Sequence, residues 1–114
     1  MTAPFDITKH VGDDGIAWLK VRGDIDQDVS EILTDFIVDA ADQDGLVEIV
    51  VDLDETTFLA AVGLRCLLEG RAAALRRGYA YQVINARGAV ERVLHLTGLA
   101  EFLGGTSLQR GIRR

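Results

Sequence analysis

The clearest periodicity in the chain lies between positions 29 and 41. Val29, Ile32, Leu33, Phe36, Ile37, Ala40 and Ala41 are spaced three and one apart, which sets them on one stripe of an α-helix. Asp28 precedes the stripe and Glu31 stands three residues on, the spacing of a capping box, while Asp44-Gly45 marks the end. Upstream, Phe5–Val11 and Ile16–Val21 read as strands joined by the turn Gly12-Asp13-Asp14-Gly15, a hairpin, before Gly23-Asp24-Ile25-Asp26 breaks the pattern. Downstream, Leu46–Leu53 is β-branched and nearly continuous, as a central strand is. Leu64, Leu67, Leu68 and Leu75 then mark one face of a second helix over Gly63–Arg77, with Gly78 as its stop. Tyr79–Ile84 reads as a strand. Arg87–Leu96 reads as a helix burying Val90, Val93 and Leu94, with Gly98 at its C-terminus. A short helical turn over Leu99–Leu103 and a C-terminal tail complete the chain.

The order β-β-α-β-α-β-α predicts an α/β fold, a small and largely parallel sheet with an antiparallel first hairpin and packed helices. At 114 residues with 48% hydrophobic and 26% charged side chains, the chain has the balance of one folded domain. The expected core spans about residues 4–104, and the tail is short. No apolar run approaches the roughly 20 residues that span a bilayer. The start, Met1-Thr2-Ala3-Pro4-Phe5-Asp6, lacks a basic segment followed by an apolar one, so no secretory leader is expected. A lone cysteine, Cys66, excludes an intrachain disulfide and a multi-cysteine metal site, and a reducing, cytoplasmic setting is the simplest expectation.

Charge is divided unevenly along the chain. Residues 1–57 hold 15 acids and 3 bases, whereas residues 58–114 hold 3 acids and 9 bases. The net charge of −6 disfavours nucleic acid as a partner, because phosphates repel an acidic surface. A basic protein partner suits the acidic half better.

Candidate chemistry is sparse. Val50-Val51-Asp52-Leu53-Asp54-Glu55-Thr56 fits the opening motif of haloacid-dehalogenase-like phosphatases, with two aspartates at a strand end. That chemistry also needs a downstream lysine, and none follows Lys20. Asp24-Ile25-Asp26-Gln27-Asp28 looks like the start of a calcium loop, but Val29 replaces the required glycine and Asp35 the bidentate glutamate. A polar loop with a helix cap accounts for these acids. His95 stands four residues after Glu91, an exposed ion-pair spacing, and Cys66 falls near the edge of the second helix's apolar face. Neither serine, Ser30 or Ser107, has a nucleophile context. No active site assembles, and the reading calls for no enzyme activity, cofactor or metal.

Three stretches together resemble the STAS-domain family, typified by bacterial anti-sigma factor antagonists. They are Leu19–Asp26 with its Gly23-Asp24-Ile25-Asp26 ending, Ile49–Leu53 through Thr57-Phe58-Leu59 to Gly63-Leu64, and Gly88–Leu99 ending in Leu96-Thr97-Gly98-Leu99. The resemblance implies a small mixed sheet packed with helices. It also implies binding of an anti-sigma factor, a GHKL-type kinase, which frees a sigma factor to transcribe. In the family the kinase phosphorylates a hydroxyl in an Asp-Ser-Ser/Thr-Gly motif and so ends binding. Aligned on Phe58 and Gly63, that motif is here Ala60-Ala61-Val62-Gly63, and Val62 in the acceptor position has no hydroxyl. Thr56 and Thr57 are the nearby hydroxyls, and Thr57 belongs to the strand pattern.

The expected contact surface is therefore Asp24, Asp26, the loop Ala60, Ala61, Val62 and Gly63, and the exposed side of the second helix at Arg65 and Glu69. Three apolar residues in a surface loop suggest either a surface covered by a partner or a neighbouring subunit, or a loop folded onto the core. The chain is expected to be a monomer or weak homodimer. Two other roles fit the family: an accessory subunit of a lipid-transport ATPase, and a domain that holds a nucleotide or lipid beside the second helix's N-terminus.

Overall fold

The computed structural model describes residues 4–104. Its elements run β1 (Asp6–Val11), β2 (Ile16–Ile25), α1 (Gln27–Ala41), β3 (Glu48–Leu59), α2 (Ala61–Arg76), β4 (Ala80–Ile84), α3 (Gly88–Leu96) and α4 (Ala100–Leu103). The sheet order is β1-β2-β3-β4; β1 pairs antiparallel with β2, and β2-β3 and β3-β4 are parallel. This is the mixed α/β architecture the periodicities predict. The expected C-terminal tail beyond residue 104 lies outside the described residues.

Strand alternation fixes which face is covered. Ala17, Leu19 and Val21 of β2, Ile49, Val51 and Leu53 of β3, and Tyr81 and Val83 of β4 point into one core. Leu33, Ile37, Ala40 and Ala41 of α1 and Leu64, Leu67, Ala73 and Ala74 of α2 close it. Val90, Leu94 and Leu103 join the same cluster from α3 and α4. The alternate positions Trp18, Val50 and Gln82 form one cross-strand row on the opposite face, and Gln82 Nε2 donates to Glu48 Oε2 at 2.8 Å.

Several boundaries differ from the sequence reading. Strand β2 runs through Gly23-Asp24-Ile25 instead of ending at Val21, and β3 runs to Leu59 instead of Leu53. The two extensions pair with each other, Arg22 with Glu55, Gly23 with Thr56, Asp24 with Phe58 and Ile25 with Leu59. Register shifts on both sides of Arg22 and Gly23, and the positive φ of Gly23 at 88°, let the ladder bend yet keep Ile25 fully buried.

The cap of α1 is Asp26, whose Oδ1 accepts from Asp28 N at 3.0 Å, so Asp28 and Glu31 do not form the expected capping box. The helix begins one residue before Asp28, which places Asp28 inside its first turn. The stripe is also narrower than the spacing implied. Ile32 is 56% exposed, and Leu75 on α2 is 49% exposed. Each lies beyond the arc that its helix presses on the sheet. Helix α2 starts at Ala61, so Ala61, Val62 and Gly63 form its first turn and are not a loop.

Candidate functional site

The carboxyl ends of parallel strands and the amino ends of the helices that follow them meet at one rim of a parallel sheet. Here β2 delivers Asp24 and the α1 cap Asp26, and β3 delivers Phe58 and the α2 cap Ala60. The junctions are tied together. Ala60 N donates to Ile25 O at 3.0 Å, and Thr57 Oγ1 donates to Asp24 Oδ1. Asp24, Asp26, Ala60, Ala61, Val62 and Gly63, expected on one surface, thus share one rim.

The start of α2 is built without a polar cap. Ala60 holds an extended backbone, and its carbonyl accepts from Gly63 N at 2.8 Å and Leu64 N at 3.3 Å, but no side chain bonds the first turn. Ala61 is exposed, Val62 half-buried and Gly63 buried. Gly63 is the point of closest approach: a Cβ there would collide with Leu59 Cδ1 and lie 2.8 Å from Ile25 Cγ2. The two readings of the apolar segment therefore divide by residue. Gly63 packs inward, while Ala61 and part of Val62 stay on the surface, as does Phe58, which is 48% exposed at the end of β3.

Next to this junction an open groove of about 400 Å³ lies between α1 and α2. Ser30, Glu31, Thr34 and Asp35 line it from α1, and Val62, Arg65, Cys66 and Glu69 from α2. Arg65 and Glu69 are placed together as expected, one helical turn apart. Sequence reasoning assigned Glu31 to a cap and gave Thr34, Asp35 and Phe58 no site role. The signal for the first three was their spacing along one side of α1, which needs the position of α2 to acquire meaning. Phe58 served only as a landmark of the family resemblance, because the strand reading ended at Leu53.

The nearby hydroxyls and the thiol are occupied. Thr56 is buried and its Oγ1 donates to Val21 O at 2.8 Å. Ser30 Oγ donates to Gln27 O at 2.9 Å. Cys66 lies deeper than the expected edge position, 3% exposed, with Sγ donating to Ser30 O at 3.2 Å. Burial pushes its thiol above the usual cysteine range, the direction that suppresses thiolate formation.

Other tempting residues have structural partners. Asp52 Oδ1 accepts from Asp54 N at 2.9 Å and from Asn85 Nδ2 at 3.2 Å, and Asp54 pairs with Arg87 Nε at 3.2 Å. These bonds tie β3 to the segment after β4, away from the groove. His95 Nε2 stands 3.7 Å from Glu91 Oε2, the i,i+4 contact the spacing implied. Among the described residues no helix is long and apolar enough to cross a membrane.

A family model described as "Mlab, STAS domain" matches residues 11–107. Among solved structures, an anti-sigma factor antagonist from Mycobacterium paratuberculosis is 32% identical, with a TM-score of 0.70 over 90% of this chain and 87% of that one. The anti-sigma factor antagonist SpoIIAA in its unphosphorylated form superposes with a TM-score of 0.73 at 16% identity, over 83% of each chain. A sulfate transporter family protein from Wolinella succinogenes gives 0.69 at 17% identity, over 86% of this chain and 78% of that one. These last two likenesses concern the fold alone. No curated protein sequence matches.

Proposed function

The chain belongs to the STAS-domain family, and on that premise we propose that it is a non-enzymatic protein-binding module of the anti-sigma factor antagonist type. Its partner in this reading is an anti-sigma factor of the GHKL kinase class, and its setting is the cytoplasm. The observation that carries the reading is the uncapped, partly exposed junction Phe58–Val62 beside Asp24 and Asp26 on one rim. Apolar surface of this kind is retained where a protein partner covers it.

The contact surface comprises Asp24, Asp26, Ala60, Ala61, Val62, Gly63, Arg65 and Glu69. Gly63 acts from beneath, by allowing α2 to seat against Ile25 and Leu59. Val62 stands where the family resemblance places the phospho-acceptor, and valine offers no oxygen to phosphorylate. Thr56 is buried with its hydroxyl engaged, and Thr57 faces the Asp24 carboxylate, which would repel a phosphate. Binding in this reading is set by abundance and is not switched off by the kinase.

The test is native affinity capture of the tagged chain from its own host, with identification of stoichiometric partners. Recovery of a GHKL-type anti-sigma factor is the expected result. Recovery of a transport ATPase subunit would replace this reading with the accessory-subunit role. A bound metabolite with no protein would replace it with the ligand-binding role.

A further inference from the structure

We propose that Phe58 is the anchor by which this rim grips its partner, and that the partner offers an apolar socket edged by arginine or lysine side chains. The inference rests on the reading of the chain as a protein-binding module and names the chemistry of what it binds. Phe58 leaves 48% of its surface in solvent, although the residue after it, Leu59, is 2% exposed. From Phe58 to Val62 the chain carries no polar side chain at all. That run crosses a strand–helix junction, where a serine, threonine or aspartate normally caps the helix, so capping is given up and carbon surface is left at the rim.

The charge around this centre has one prevailing sign. Strand register sets Asp24 opposite Phe58, and Asp26 follows at the head of α1. Further along the rim, the groove that Val62 lines is edged by Glu31, Asp35 and Glu69, with Arg65 as the one base lining it. Phe58, with Asp24 and Asp26 along the same rim, is complementary to an apolar socket that carries basic side chains at its edge. Buried aromatic anchors dominate the energetics of such interfaces, and the surrounding charges set orientation and association rate.

Half of Phe58 is in solvent, so its truncation costs the fold less than a core truncation does, and the exposed Ala61 offers a second variant free of that cost. The probe is a purified GHKL-type anti-sigma factor from the same genome, titrated with the full chain and three variants. Phe58→Ala is expected to weaken binding by about 30-fold or more while the chain still unfolds in one cooperative transition. Ala61→Arg, at an exposed helical position on the same rim, is expected to weaken binding comparably by placing bulk and positive charge at the centre. Leu96→Ala, at an apolar residue 80% exposed on α3, is expected to bind like wild type.

Wild-type affinity retained by both Phe58→Ala and Ala61→Arg would overturn the anchor and leave the protein-binding reading standing. A dimer in sedimentation that Phe58→Ala dissolves, with kinase binding unaffected, would assign the patch to a second copy and also overturn the proposal. Failure of the wild type to bind any such kinase would overturn the reading itself, and the anchor with it.

Discussion

Gly63 shows how one missing side chain positions this rim. The first turn of α2 presses on Ile25 and Leu59 so closely that a methyl group has no space. Gly63→Ala is expected to cost about 1–3 kcal/mol by overpacking, measured as a fall in the denaturation midpoint. Three residues earlier the expectation has the opposite sign. Ala60 is the cap of α2 and bonds nothing with its side chain, so Ala60→Ser is expected to add about 1 kcal/mol in the same measurement. Cys66 supplies a pH dependence. Its thiol titrates higher in the folded chain than the ordinary 9.0, because burial penalises the thiolate. Below that value both states hold the proton and stability is full; as pH rises past it the unfolded chain ionises first and stability falls. Tyr81, buried with Oη donating to Leu67 O at 2.8 Å, is shifted in the same direction from 10.0. Denaturation followed from neutral to alkaline pH is therefore expected to show declining stability above about pH 9, less steeply in Cys66→Ala. A stability rising over that range would contradict the burial of both groups.

The elements differ in how openly their sequences declare them. Helix α1 and the strand core Ile49–Leu53 were legible because hydrophobic spacing and burial coincide there. Leu33 is fully buried and Ile32 is 56% exposed although the two are adjacent in the predicted stripe. Leu33→Ala is expected to cost about 2–5 kcal/mol and Ile32→Ala little, by chemical denaturation. Equal costs would mean that α1 is rotated on the sheet. The second halves of β2 and β3 were not legible, because Asp24, Asp54, Glu55 and two threonines dilute the alternation that identifies a strand. Their stability comes from pairing with each other, with Arg22 Nε 2.7 Å and Lys20 Nζ 3.4 Å from Glu55 across the ladder. The candidate site was read in part for the same reason. Asp24, Asp26 and the Ala60–Gly63 segment could be named from family resemblance, whereas Glu31 and Asp35 gain a site only from the position of α2, and Phe58 reaches the rim only because β3 continues to Leu59.

At the scale of the whole molecule, the acidic and basic halves of the chain interlock without cancelling. Arg77 reaches Asp42 at 3.8 Å and also contacts Asp44, and Arg87 reaches Asp54, so part of the basic half is spent inside the fold. The acids around the rim make no ion pair among those bridges, and they face outward beside the groove. If they guide a basic partner, the association rate should fall as salt is raised while the dissociation rate changes little, measured by surface binding kinetics. An association rate independent of salt would remove the acidic rim from the account. The proposed function goes beyond steering: in that reading the chain binds an anti-sigma factor kinase through a rim that the kinase cannot modify. The direct measurement is a calorimetric titration of the purified chain into that kinase, with and without magnesium-ATP turnover, followed by intact-protein mass spectrometry. The account predicts the same stoichiometry and affinity in both arms and no added phosphate. Loss of binding in the ATP arm, with a phosphate mapped to Thr56 or Thr57, would contradict it and show that the switch has moved along β3.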